Sequence, residues 1–122
     1  MFRLAPNALA RLSPEAVHLA ERFLYSLSPA MRALVSEVRL FGAQARRFDP
    51  EAPFAFLVIV DDCSLPVKAA VSIARQAATG DGSFEVEVTL ATPTEVDSST
   101  GLRARLFQNA RREGVELWRK AA

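Results

Sequence analysis

The strongest constraint on the fold is an unbroken apolar run from Phe54 to Val60. A short run rich in aromatic and β-branched residues, ended by acidic turn residues, is typical of a central strand that is buried on both faces. A second strand is predicted over Glu37–Phe41, and Gly42 ends it. Residues 43–53 are polar and connect the two strands. The sequence therefore predicts two strands in one sheet, joined by a polar loop.

Two helices are predicted before the first strand. Ser13-Pro14 and Ser28-Pro29 each place a capping hydroxyl directly before a proline at the first helical position. We therefore expect residues 13–35 to form two leading helices, and residues 1–12 to form an N-terminal extension.

The second half of the chain alternates helix and strand. Helical periodicity predicts a helix over Leu65–Thr79, and alternating polarity predicts a third strand over Phe84–Ala91. Thr92-Pro93-Thr94-Glu95 matches a capping box. A last helix is predicted over Thr100–Arg112, before a short docked tail; its inward residues are expected to be Leu102, Leu106, Phe107 and Ala110. The order αβαβα predicts one α/β domain, residues 1–122, with a small mixed sheet of about three strands.

Composition excludes several classes of protein. Half of the residues are hydrophobic, which argues against disorder, and no apolar run approaches the roughly 20 residues that span a bilayer. The N-terminal residues do not match a signal peptide, so we expect a cytoplasmic protein without membrane contact. Cys63 is the single cysteine and His18 the single histidine, and they fall in different predicted elements. We expect an unreactive thiol and a solvated imidazole.

Charge is distributed unevenly along the chain. Residues 1–47 carry seven Arg and three Glu, and residues 98–122 carry six Lys/Arg and two Glu. Residues 48–97 carry nine Asp/Glu and two Lys/Arg. Two interpretations stay open: ordinary solvated helix faces, or a surface that is complementary to a partner or to a second copy.

The segment around the glycine turn and the apolar strand resembles the signature of the DNA-polymerase-beta-like nucleotidyltransferases, especially their minimal (MNT) branch. That signature is Gly-Ser, a spacer of ten residues, and Asp-x-Asp at the start of an apolar strand. Gly42 and Ala43 stand at the Gly-Ser positions, and residues 44–53 form the spacer. Phe54 and Phe56 stand where the two aspartates are expected.

Further positions extend the resemblance over a core of residues 36–118. Arg46 matches an arginine that commonly follows the turn, and Arg47 replaces a usual glycine. The third carboxylate of the family lies five residues before a Thr/Ser-Pro step, and Glu87 fits that position. The segment Arg112-Glu113-Gly114 resembles the family's closing Arg-Glu-Gly step.

In this family the carboxylates bind magnesium, which requires oxygen ligands. Phenyl rings supply none, so the resemblance implies a degenerate member, a pseudoenzyme in which Glu87 is a remnant carboxylate. No metal site and no cofactor are then expected. MNT proteins resemble the antitoxin half of HEPN–MNT toxin–antitoxin pairs. The resemblance therefore implies a binding role, as a partner subunit, a regulator or an antitoxin, toward a HEPN-like helical protein or in a homo-oligomer.

Two other functions remain open. The first is an active, magnesium-dependent nucleotidyltransferase with a rearranged site that uses Glu87 together with Asp49 or Glu51 from the loop. The second is a nucleotide- or nucleic-acid-binding module that needs no metal, because arginines beside a glycine turn can hold phosphate. Its phosphate-binding residues would be Gly42, Ala43, Arg46 and Arg47, with the C-terminal arginines.

Overall fold

The computed structural model describes residues 3–80, 82 and 84–120, so parts of the predicted extension and tail lie outside it. Its elements, in chain order, are α1 (Pro6–Arg11), α2 (Pro14–Ser26), a 3-10 helix (Pro29–Ala33), β1 (Val35–Phe41), α3 (Ala43–Arg46), β2 (Phe54–Val60), α4 (Leu65–Thr79), β3 (Val86–Ala91), α5 (Pro93–Ser98), α6 (Gly101–Glu113) and β4 (Val115–Arg119). The predicted α/β class is confirmed. Within the described ranges, no helix is long and apolar enough to cross a bilayer.

The sheet has four strands in the order β3-β2-β1-β4. β1 pairs antiparallel with β2 and with β4, whereas β2 and β3 are parallel. The sheet is therefore mixed, as predicted, but it gains a strand from the segment that was expected to be a docked tail. Val115 and Leu117 are buried on one face of β4, and Arg119 pairs with Glu37 across the strands.

Strand β2 is buried on both faces, as its apolar run predicts. Its even-numbered side chains belong to a larger core beneath α2 and α4: Phe54, Phe56, Val58 and Val60. Its odd-numbered side chains Leu57 and Ile59 belong to a smaller core with Phe107 and Ala110 of α6. Helices therefore cover both faces of the sheet, with α2 and α4 on one face and α6 on the other.

The capping signals explain most of the helix starts. The Ser13 hydroxyl accepts a hydrogen bond from the Ala16 N–H at 3.1 Å and begins α2. Thr92 and Glu95 form both bonds of the predicted capping box, and the bond from the Thr92 N–H holds the pKa of Glu95 below its ordinary value. The bounds of α4 are confirmed, and Ser28 begins a 3-10 helix.

Several segments differ from prediction. β1 begins at Val35, which was expected to lie in the second leading helix, and α3 lies within the expected polar loop. The expected N-terminal extension contains α1, which buries Ala8, and the Ala5 N–H donates to the Leu117 carbonyl at 2.8 Å. Leu102, expected to face inward, is 83 % exposed. It lies five residues before the buried Phe107, and this spacing places it about 140° around the helix from that residue. The prediction for Leu102 was therefore wrong.

Gly114, between α6 and β4, provides a test of this packing. A Cβ there would lie 2.2 Å from the Ala110 oxygen and 2.9 Å from the Leu40 oxygen, both backbone atoms. We expect Gly114→Ala to lower the free energy of unfolding by about 3 kcal/mol, because neither carbonyl can move away cheaply. Urea denaturation gives the measurement.

Gly101→Ala is the matched control. Gly101 has a φ of +69° and no atom within 4 Å of an added Cβ, so only backbone strain of about 1 kcal/mol is expected. An equal or smaller loss in Gly114→Ala would contradict the packing at the α6–β4 junction.

Candidate functional site

Phe54 and Phe56, the residues at the expected aspartate positions, lie in the larger core. Both are 0 % exposed. The Phe56 ring stacks on Phe23 of α2, with centroids 4.5 Å apart and planes 10° apart. The Phe54 ring meets the edge of Phe84 at 5.3 Å. Phe56 therefore packs the sheet against α2, and Phe54 packs against the segment before β3.

Glu87 lies on the opposite face of the sheet from these rings. In the parallel pairing of β2 with β3, Ala55 is in register with Glu87, and Phe56 with Val88. Side chains in register on adjacent strands point to the same face. Glu87 therefore shares its face with Ala55, and it is exposed whereas the two rings are buried. The structure does not bring Glu87, Phe54 and Phe56 together at one site.

Shifting the alignment of β2 with the Asp-x-Asp signature by one residue does not give a carboxylate pair either. The β2 positions on the face of Glu87 are Ala55 and Leu57, and neither side chain contains oxygen. Leu57 is also fully buried against α6. The alternation Val86-Glu87-Val88 already indicated that Glu87 points away from the larger core. The sequence of β2 is apolar throughout, so it did not indicate which of its residues face which core.

The glycine turn forms at the end of β1, as predicted. Gly42 has a φ of +80° and caps α3, a backbone conformation that disfavours other residues. A cleft of about 490 Å³ lies beside it and is lined by Ala43, Arg46, Arg47 and Asp49. Three of the four residues predicted to bind phosphate therefore line one cleft, and the fourth begins the helix that carries them.

Gln44 organises the wall of this cleft, although sequence analysis did not single it out. Its side chain is fully buried. Its amide nitrogen donates to the carbonyls of Asp49 at 2.5 Å and Ala52 at 2.8 Å, and its oxygen accepts from the Asp49 N–H at 3.1 Å. The loop after α3 is thereby fixed to the helix. A glutamine in a polar segment carries no sequence signal that it will be buried.

The C-terminal end of α6 lies next to α3. Glu113 pairs with Arg46 at 3.4 Å and with Arg112 at 3.8 Å. All three side chains are at least 46 % exposed, so solvent screens these ion pairs and they add little stability. Arg47 is exposed and makes no ion pair with any residue that the structure describes. We call Arg46, Arg47 and Arg112 the arginine cluster.

The acidic residues do not converge. The described part of the chain contains no group of three or more His, Cys, Asp or Glu side chains that could hold a metal ion. In the loop, the Asp49 carboxylate accepts from the Glu51 N–H at 2.9 Å. Asp61, at the other end of β2, accepts from the Ser36 hydroxyl at 3.2 Å. Asp49 therefore serves a local turn, and Asp61 connects the end of β2 to β1.

Cys63 and His18 lie in separate elements, as expected. His18 is an exposed residue of α2, and Cys63 follows β2. Partial burial raises the pKa of the Cys63 thiol, and the Glu95 carboxylate raises it further. A raised pKa keeps the thiol protonated and weakly nucleophilic at neutral pH.

Comparison with known proteins does not assign the chain. No family model, no curated protein and no solved structure matches it. The nucleotidyltransferase resemblance therefore stays a prediction that rests on the turn, the spacing and the closing segment.

The two faces of β2 are distinguished by placing one carboxylate on each. Phe56→Asp introduces a charge into the closed core and removes the stack on Phe23, so we expect a loss of at least about 4 kcal/mol of unfolding free energy. Ala55→Asp places the same group on the face of Glu87, at a half-buried position. There we expect a loss of about 1–2 kcal/mol, from repulsion and partial burial. Urea unfolding gives both values, and equal losses would contradict the face assignment.

Proposed function

We propose that this chain is a nucleotidyltransferase-like scaffold that acts by binding a macromolecular partner and does not transfer nucleotides. The observation that carries the proposal is the burial of Phe54 and Phe56. Nucleotidyl transfer on this strand needs oxygen atoms directed at magnesium. Here the corresponding side chains are rings at 0 % exposure, and Phe56 stacks on Phe23. These positions serve packing, so we expect function to lie on the surface.

A protein partner is supported by the exposed face of α4. Leu65 is 80 % exposed and Ile73 is 63 % exposed on this helix. Exposed apolar side chains that lie close together are typical of protein-binding surfaces. A role as a partner subunit, regulator or antitoxin would use such a surface. The resemblance to MNT proteins makes a HEPN-like helical protein one candidate for the partner, and a homo-oligomer another.

A second candidate function is metal-independent binding of a nucleotide or nucleic acid at the arginine cluster. The specific observation is that α3 and the end of α6 place Arg46, Arg47 and Arg112 close together, with a cleft beside α3. Guanidinium groups bind phosphate oxygens by paired, charge-assisted hydrogen bonds without a metal. Glu113 is the carboxylate that a phosphate would have to displace.

The binding proposal predicts no magnesium-dependent interaction with nucleotide. In calorimetric titrations with millimolar ATP, we expect the same heat with magnesium as with EDTA, because Glu87 has no second carboxylate on its face of β2. A magnesium-dependent binding heat that disappears in Glu87→Gln would contradict the proposal and favour the rearranged enzyme.

The second candidate predicts salt-sensitive retention on single-stranded DNA. Arg46→Ala/Arg47→Ala should reduce the slope of log affinity against log salt by about 1.4, because each phosphate contact contributes roughly 0.7. Arg11→Ala/Arg32→Ala is the matched control, since it removes the same charge from exposed positions on α1 and the 3-10 helix. Equal slopes for the two double variants would count against the arginine cluster.

A further inference from the structure

The side of α6 that faces away from the sheet is basic. Arg105, Asn109 and Arg112 are exposed, and they lie within about 60° of one another around the helix. Phe107 and Ala110, which are buried in the smaller core, lie about 140° or more around the helix from Arg105. Arg105 and Arg112 are about 10.5 Å apart along the helix axis, because they are seven residues apart. This side of α6 therefore presents two separate guanidinium groups to solvent.

The position of Arg105 is not explained by contacts within the chain. Arg111 and Arg112 lie in the last turn of α6, where basic residues stabilise a helix through its dipole. Arg103 lies on the side of the buried residues, pairs with Glu95 and packs over the Phe107 ring. Arg105 lies in the middle of the helix, and it makes no ion pair with any residue within the described ranges. Its charge is therefore available to an external anion.

The basic side of α6 continues into the arginine cluster. Arg112 donates to the Asn109 side chain at 3.2 Å, and Glu113 lies between Arg112 and Arg46. Together, α6 and residues 46–47 carry six arginines and one glutamate, in a chain whose formal net charge is +1. The rest of the chain is therefore net negative. Positive charge is concentrated on this one surface, which suits a polyanionic partner.

We propose that the basic side of α6, together with the arginine cluster, binds the phosphate backbone of double-stranded DNA. This inference rests on the second candidate function and names its ligand as a polymer. Arg105 and Arg112 are spaced along the helix, and Arg46 and Arg47 lie beyond its end. Such a spacing matches a ligand whose phosphates are distributed along its length, as in a duplex, better than it matches a single nucleotide.

The residues of α3 and α6, all of which the structure describes, include no exposed aromatic side chain, which favours a duplex over a single strand. Proteins that bind single strands usually stack the bases on exposed aromatic rings. Tyr25 is exposed, but it belongs to α2, on the other side of the sheet. Phe48, next to Arg47 in sequence, is half-buried and packs against Phe84. A duplex needs no stacking surface, because its phosphates lie on the outside.

The dimensions of α6 also fit B-form DNA. The major groove of B-DNA is about 12 Å wide and admits an α-helix, whereas that of A-form RNA is deep and narrow. With α6 in the groove, the spacing of Arg105 and Arg112 allows each to contact a phosphate at the groove's edge. Arginine contacts with phosphates carry no sequence information. We therefore expect similar affinities for duplexes of different sequence.

Fluorescence anisotropy of the full chain with a labelled DNA duplex of about 20 base pairs, at several salt concentrations, tests the inference. We expect Arg105→Ala/Arg112→Ala to reduce the slope of log affinity against log salt by about 1.8, because each phosphate contact on B-DNA contributes roughly 0.9. Arg105→Lys/Arg112→Lys should keep the slope, since it keeps both charges. Arg11→Ala/Arg32→Ala is the control for the charge removed. All four arginines are exposed, so the melting temperature should stay nearly unchanged.

Glu113 provides a test in the opposite direction. Its carboxylate lies beside Arg46 and Arg112 and repels phosphate. Glu113→Gln should therefore raise the affinity for the duplex by about two- to fivefold. Glu15→Gln is the matched control, because it removes an exposed carboxylate from α2, on the other side of the sheet.

Four results would overturn the inference. They are no binding of the duplex by the wild type, tighter binding of the single strand than of the duplex, equal slopes for Arg105→Ala/Arg112→Ala and its control, and displacement of the duplex by polyglutamate at equal charge concentration. The last result would assign the surface to an acidic protein. If only Arg46→Ala/Arg47→Ala changes the slope, the second candidate function stands without this inference. If no variant changes it, both fail.

Discussion

The structure depends on the burial of β2 from both sides. The strand pairs with β1 on one edge and with β3 on the other, and Phe56 and Leu57 point into different cores. Each side chain is therefore constrained by a helix layer as well as by its neighbours in the sheet. A carboxylate at position 54 or 56 would have to lose its hydration without a compensating partner. Packing explains the phenyl rings at these positions without any catalytic role.

With the central strand committed to packing, the features available for recognition lie at the periphery. The arginine cluster extends from α3 to the end of α6, whereas the exposed Leu65 and Ile73 lie on α4. The two proposed surfaces therefore do not compete for the same residues.

Local signals predicted the elements that local interactions determine. The caps at Ser13 and Thr92, the bounds of α4 and the course of β2 follow from residues close together in sequence. Features that depend on distant contacts were missed. β4 becomes a strand because it pairs with β1, and Gln44 is buried because a loop closes over it. Sequence analysis did not predict that Glu87 and Phe56 point to opposite faces of the sheet. A strand that is apolar throughout does not show which of its residues face which core.

Strand β2 lies in the core of the protein, and we propose that it does not form a metal site. A crystal structure grown with magnesium and a nucleotide tests it most directly. We expect the Phe56 ring to stay stacked on Phe23 and no ion to bind between Gly42 and Glu87. A magnesium ion held by Glu87 together with Asp49 or Glu51, beneath a nucleotide on the Gly42 turn, would contradict it.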